Sequence, residues 1–492
     1  MPKFDKHRTR RIIYNDDADQ RYDDGLGYNI TDEQSFIDAR TAPTFDTHVD
    51  TYVWCLGNGA EPPWGGQASL WPMLGSEERA TDLIIEACHA KGMEVWGSLR
   101  MNDIHDSLMA RSLEGTNDPL KAEHPEYLIG KLGDRELAPE FAERYLWTAF
   151  NFEREEIRNY RLDYIDRQAR GHDLDGFELD FTRFIWNFPL GRERELAPLM
   201  TDLVRQVRER LNVIGEERGR PYTFVVHVMD SLEKSHLLGQ DIEVWLTEGL
   251  IDVLTVGMGY LPYVLPLDEW KALGAKYCVP IYPSINTNTF TDWYRQASGP
   301  KRLERVSARH DAILATAAWW WANGADGIYI FNLFCQDKCM AKDLVYAPLT
   351  QAGDPTALVG KDKVYAISPS SMSGFCHHGS EATPLPVPLE TQERKLPLAI
   401  GPDADDPNAR FTIHFWTTGG EDKLSVYARL NHKLLKPIVK NDPSHDQRHY
   451  VADAGTGLMS AGFNELSLWC SSDIIESSSP MIVHEVLVEV AY

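Results

Sequence analysis

Glu178 and Asp180, two carboxylates two residues apart, lie in the run Asp175-Gly-Phe-Glu-Leu-Asp-Phe-Thr-Arg-Phe184. In an extended strand, residues i and i+2 share a face. Glu178 and Asp180 would therefore point together, with Phe177, Leu179 and Phe181 opposite. Two carboxylates so close repel, and one of them should hold its proton to higher pH. A neutral carboxyl beside a permanent anion suits general-acid chemistry. Two further runs carry candidate groups. One ends in His227 and Asp230. His227 could act as a base, donate to sugar hydroxyls, or fill an interior. The other, Arg100-Met-Asn-Asp-Ile-His-Asp106, offers Arg100, Asn102, Asp103 and His105, with Asp103 a further candidate acid.

These groups need a scaffold that brings them to one place. Eight apolar runs are visible, most followed by a helical stretch: 11–14, 49–55, 93–99, 176–181, 222–230, 252–258, 278–284 and 327–333. Apolar β-branched and aromatic runs alternating with helical patterns signal a parallel sheet covered by helices. Eight repeats suit a closed (β/α)8 barrel, whose reactive groups sit at the C-terminal strand ends. An open doubly wound sheet is the alternative, but no glycine-rich phosphate loop opens any helix. The barrel rule turns the strand list into a site list. Catalytic candidates are Asp180, Glu178, His227 and Asp103. Substrate-binding candidates are Asn15, Asp16, Trp54, Arg100, Asn102, His105, Arg183, Asp230, Tyr282, Asn286 and Asn332.

Residues 1–344 are read as the barrel, 345–395 as a connector packed on it, and 396–492 as an antiparallel β-sandwich. The last reading rests on period-two runs such as Phe411–Trp416 and Val483–Val490. The chain has 492 residues, 43% of them apolar, enough for one large and one small core.

Acidic residues outnumber basic ones, 74 to 49, for a net charge of −25. That argues against nucleic acid and anionic membranes as partners. A local Arg cluster could still take an anionic sugar. No apolar run is long enough to span a bilayer. The first eleven residues lack the apolar core of a signal peptide, so a cytoplasmic location is expected unless a leader has been removed. The seven cysteines are scattered and odd in number, which favours reduced, mostly buried thiols. The Arg100–Asp106 run could hold a divalent metal with Asp16, but no compact ligand spacing is present. No metal or cofactor is expected. Oligomeric state is not legible.

The stretch Asp175-Gly176, Asp180-Phe181, Arg183-Phe184 resembles the fourth-strand signature of the glycosyl hydrolase-like barrels related to family 10 domains. By that resemblance Asp180 takes the aspartate position and Arg183 the neighbouring basic one. The resemblance implies a (β/α)8 fold and a carbohydrate substrate. Two departures stand out: Ile185 follows where the family commonly has Pro, and Glu178 occupies a variable position. Many retaining glycosidases also carry a Glu at the end of strand seven, whereas this chain has Tyr282-Pro-Ser-Ile-Asn286 there.

Three functions follow from these residues. The first is a glycoside hydrolase using Asp180 and Glu178. The second is a lyase or dehydratase on uronic-acid oligosaccharides. Arg100 or Arg183 would there neutralise the sugar carboxylate, and His227, His105 or a Tyr would take the proton. The third is a non-catalytic sugar-binding barrel. Trp54, Trp64, Trp71, Trp96, Trp147 and Trp186 are candidates for stacking on sugar faces, whereas Trp319 to Trp321 read as helix packing.

Overall fold

The computed structural model describes residues 8–16, 18, 30–57, 74, 79–138, 141–182, 184–257, 265, 267–286, 310–333, 345–367, 385–419, 425–440, 448–471 and 480–492. Eight parallel strands close on themselves: β1 (Ile12–Asp16), β2 (Val49–Cys55), β3 (Glu94–Arg100), β4 (Gly176–Asp180), β5 (Thr223–Val228), β6 (Val253–Val256), β7 (Ile281–Asn286) and β8 (Ile328–Phe331). β8 pairs with β1, so the ring has no edge. Around it lie α1 (Glu33–Arg40), α2 (Arg79–Ala90), α3 (Glu155–Gly171), α4 (Glu193–Glu217), α5 (Ile242–Thr247), α6 (Leu267–Tyr277) and α7 (His310–Ala322).

Alternation along each strand sorts the side chains into two cores. Ile13, Val53, Trp96, Val225, Val253, Tyr282, Tyr329 and Phe331 form one buried cluster inside the ring. Tyr14, Tyr52, Trp54, Leu179, Val226 and Ile330 belong to the larger cluster packed against the helices. Gly176 is a requirement of the inner core. A Cβ there would lie 2.5 Å from the Trp96 ring and 2.9 Å from the Thr223 carbonyl. Asp175, just before it, accepts from Val95 N and His89 Nε2 at 2.8 Å each, and from Arg220 Nη1 at 2.8 Å. The Asp-Gly half of the fourth-strand motif therefore seats the strand.

The C-terminal part is a two-sheet antiparallel sandwich. One sheet holds β9 (Lys363–Ile367), β10 (Val387–Pro388), β12 (Arg410–Thr418), β15 (Ile438–Lys440), β16 (Arg448–Gly455) and β18 (Ile482–Ala491). The other holds β11 (Arg394–Ile400), β13 (Val426–Leu430), β14 (Lys433–Leu435) and β17 (Gly462–Cys470). The fold is thus a (β/α)8 barrel with a β-sandwich. The segment read as a connector, 345–395, contributes β9 to the sandwich, where it pairs with β18. α7 is apolar on every side because it packs on both barrel and sandwich. Trp320 is fully buried in it, and Trp319 meets Phe463 of β17 edge-on, ring centroids 5.4 Å apart. Cys55 and Cys88 are buried, but Cys278 is exposed, since the seventh strand starts three residues beyond it. Among the described residues no helix is long and apolar enough to cross a membrane.

Candidate functional site

Strand β4 turns both of its carboxylates into the ring. Glu178 sits opposite Ser98 of β3 and Val225 of β5, and Asp180 opposite Arg100 and His227. Asp180 is the last residue of its strand, so Glu178 lies one layer deeper. Glu178 is fully buried. Its Oε1 accepts from Ser98 Oγ at 2.7 Å and from Tyr329 OH at 3.0 Å. Its Oε2 has no hydrogen-bond partner among the described residues. Burial, with the charge of Asp180 added, pushes the Glu178 carboxyl up to about 8, against the pull of those two donors. At neutral pH it is a neutral acid.

Asp180 Oδ1 accepts from Thr182 N and Thr182 Oγ1, both at 2.8 Å. His227 faces it, with Nδ1 3.8 Å from the same oxygen. The other ring nitrogen, Nε2, lies 2.8 Å from the Gly257 carbonyl, which can only accept. That bond fixes the Nε2–H tautomer. Burial lowers the His227 pKa, so the ring is neutral and its Nδ1 lone pair is directed to the Asp180 side.

The loop after β3 adds a third group. Arg100 Nη1 donates to Asp103 Oδ2 at 3.0 Å, and Asp103 Oδ1 takes His105 N at 2.9 Å and His105 Nδ1 at 2.8 Å. Burial alone would raise Asp103, but His105 and Arg100 overcome it and hold the carboxylate well below its usual range. The His105 ring packs edge-on against Phe184, centroids 4.7 Å apart, and its side chain is 38% exposed. It is an oriented imidazole open to solvent.

Several expected ligands are elsewhere. Asp16 and Trp54 have the wrong strand parity and face the helices. Asp16 is completely buried, paired with Arg40 of α1 and accepting from Tyr52 OH at 2.7 Å. It cannot join a metal site with the loop after β3. Trp54 lies between Phe36 and Arg40 and donates to Thr81 Oγ1 at 3.2 Å. Tyr282 is at the opposite end of the barrel, because β7 begins at Ile281; there it meets Arg10, which precedes β1. Asn102 is consumed by the backbone, donating to Phe150 O at 2.9 Å and Trp186 O at 2.6 Å and accepting from Phe150 N at 3.0 Å. Asp230 is ion-paired with Lys234 at 3.0 Å. Trp96, Trp147 and Trp186 are buried and offer no face for stacking.

Asn15 does face inward, beside Tyr329, and Asn332 directly follows β8 in the left-handed region, φ 55°, as Asn tolerates. Arg183, the Asn286 side chain, Trp64 and Trp71 lie outside the described residues. The groups not anticipated were Ser98, Thr182 and Tyr329. Parity could have found Ser98 and Tyr329, since each is two residues from an inward-facing position. Glu178 Oε2 is also not alone. Asn15 Oδ1, Trp96 Nε1, Thr223 Oγ1, Thr255 Oγ1 and Ser284 Oγ, all on inward positions, are buried without partners among the described residues.

No family model and no curated protein matches the sequence. Solved structures similar to the chain include a cycloisomaltooligosaccharide glucanotransferase from a Paenibacillus species, with 9% identity and a TM-score of 0.37. Others are an alpha-amylase from Geobacillus thermoleovorans (11%, 0.41) and a GH36 alpha-galactosidase from Geobacillus stearothermophilus (12%, 0.39). The matches cover 98%, 95% and 94% of this chain, and 58%, 100% and 56% of those chains, in the same order. The chain thus spans little more than half the length of the first and third.

Proposed function

We propose that this chain is a carbohydrate-active enzyme of the glycoside hydrolase type, working at the barrel mouth around Asp180. One observation carries the reading: two carboxyls are stacked on the inner face of β4, the deeper one neutral at pH 7 and the other at the rim. A neutral Glu178 keeps the mouth from carrying two adjacent negative charges. Asp180 is the carboxylate that attacks, or stabilises, an oxocarbenium-like centre. Thr182 fixes its orientation. The imidazole held by Asp103 is suited to moving a proton to or from the departing oxygen. No cofactor enters this scheme.

The Asp103–His105 pair also favours a second reading, elimination on a uronic-acid sugar, with His105 taking the α-proton and Arg100 near the sugar carboxylate. Incubation with a panel of plant and marine oligosaccharides, with products read by mass, separates the two. A gain of one water marks hydrolysis, and an unsaturated, ultraviolet-absorbing product marks elimination. In the hydrolase, Asp180→Asn lowers kcat by about 10²-fold or more. His105→Ala lowers it less than Asp180→Asn does. In the eliminase the order reverses. Full turnover by Asp180→Asn would remove Asp180 from the chemistry, and binding of an oligosaccharide with no turnover by the parent chain would reduce the barrel to a binding protein.

A further inference from the structure

Asp180, the last residue of β4, and His227 of β5 are direct partners in the barrel ladder. The hydroxyl of Thr182 lies between them. Its Oγ1 is 2.8 Å from Asp180 Oδ1 and 3.4 Å from His227 Nδ1. All three side chains are buried. The Thr182 backbone N–H also donates to Asp180 Oδ1, at 2.8 Å.

The imidazole is held so that only one role is left to Nδ1. Gly257 O sits 2.8 Å from Nε2 and can only accept, so the ring proton stays on Nε2 and Nδ1 keeps its lone pair. That carbonyl is itself fixed. Gly257 adopts φ 112°, a backbone conformation that residues with a Cβ rarely take, and its N–H donates to Val228 O at 3.0 Å. The rings of Tyr329 and Phe331 flank the imidazole, with centroids 5.0 and 6.2 Å away. Nδ1 and Asp180 Oδ1 are 3.8 Å apart, and both present lone pairs. A hydroxyl has a single proton to donate, so Thr182 serves one of these acceptors at a time. In the resting site the charged and closer acceptor, Asp180, takes it.

The balance changes when Asp180 commits its charge elsewhere. As an oxocarbenium-like centre forms, the electron density of the carboxylate is drawn towards the sugar. Its pull on the hydroxyl falls towards that of a neutral acceptor, while Nδ1 is unaltered. We propose that His227 is a positioning residue that acts on Asp180 through Thr182, accepting the Thr182 hydroxyl while Asp180 is engaged with the sugar. The O–H bond never breaks; only its direction changes. The Thr182 backbone N–H stays on Asp180 throughout and keeps the carboxylate in place. A neutral imidazole thereby lowers the cost of spending the carboxylate's charge without touching substrate. The inference deepens the hydrolase reading above and rests on it.

Asp180→Asn imitates the discharged carboxylate and needs no substrate. The chain is prepared with isotope-labelled histidine, and the ring nitrogens are followed by NMR at neutral pH. The His227 signals are those missing from His227→Gln. In Asp180→Asn the Nδ1 signal should move upfield of its place in the parent, the direction a ring nitrogen takes on accepting a hydrogen bond. With Thr182→Val added, that movement should vanish. Kinetics use the oligosaccharide that the mass panel shows to be hydrolysed. His227→Leu should lower kcat about tenfold and leave KM nearly unchanged. His227→Gln, whose amide has a donor end for Gly257 O and an acceptor end for Thr182, should recover most of that loss. Adding His227→Leu to Thr182→Val should cost little beyond Thr182→Val alone, because the two act through one hydroxyl. Should His227→Leu fail to fold, the ring-nitrogen comparison decides by itself. An Nδ1 signal that stays put in Asp180→Asn, one that moves as far without the hydroxyl, or kinetic losses that add in full would each overturn the proposal. A moving Nδ1 signal with no oligosaccharide hydrolysed supports the hydroxyl switch and overturns only its use on a sugar.

Discussion

Tyr329 of β8 reaches across the barrel interior and donates its phenol to Glu178 Oε1 of β4 at 3.0 Å. Ser98 occupies the same oxygen from the other side. With two donors on Oε1, the proton of the neutral acid belongs on Oε2. Folding raises this carboxyl from 4.5 to about 8, so between those values the native state binds a proton that the unfolded chain has released. Stability contributed by the neutral acid is therefore complete below about pH 4.5 and declines as pH rises to about 8. At ~1.4 kcal/mol for each pH unit, the full span amounts to a few kcal/mol. Glu178→Gln, which cannot ionise, should remove that slope. Urea unfolding across this window should show the parent losing more stability than the variant as pH rises. Equal slopes in the two proteins would mean that Glu178 is already ionised at neutral pH.

Gly176 gives a prediction about packing. The inner face at this point is filled by Trp96, and an added Cβ would lie 2.5 Å from its ring and 2.9 Å from the Thr223 carbonyl. The carbonyl belongs to the ladder with β5 and cannot yield, so the ring must move. Overpacking of this kind costs about 1–3 kcal/mol or more. Gly176→Ala should lower the unfolding midpoint accordingly. Trp96→Leu in the same chain should recover part of the loss, since the two positions are coupled by contact. Two losses that simply add in the double variant would show that the ring is not what the methyl meets.

Much of this arrangement was readable from the period of the sequence. The strand count, the inward pairing of Glu178 with Asp180 and the sandwich pattern follow from alternation of two. The errors at Asp16 and Trp54 share one cause. Both were taken as site residues because they end strands, but only every second residue at a strand end faces the ring. Asn15 and Asp16 are neighbours and must point opposite ways, and the inner cluster shows Ile13, hence Asn15, to be the inward set. Tyr282 was misplaced for a different reason. The apolar run starts at Cys278, but the strand starts at Ile281, because Cys278 adopts a left-handed turn, φ 57°. The Asp103–His105 pairing could not be read at all, since it depends on a loop conformation and not on a repeat. β9 was hidden because five residues within a Pro- and Gly-rich segment carry too weak a pattern, and its partner, β18, lies over a hundred residues away.

The pairing of Asp16 with Arg40 carries the last prediction, because it separates stability from chemistry at one end of the barrel. Both side chains have no exposed surface, and Arg40 also lies over the Trp54 ring, 5.2 Å from its centroid. Removing one partner of a buried pair strands the other charge, at a cost of about 3–5 kcal/mol. Asp16→Ala and Arg40→Ala should each lose that much in urea unfolding. Arg40→Ala combined with Asp16→Ala should lose less than the sum, because no charge is then left alone. Asp16 faces α1 and not the ring interior, so any Asp16→Ala protein that remains folded should keep the parent's kcat on whatever sugar the panel identifies. A folded Asp16→Ala variant with kcat reduced a hundredfold would put this carboxylate back among the groups that act on substrate, and would contradict the strand parity that the rest of the site is built on.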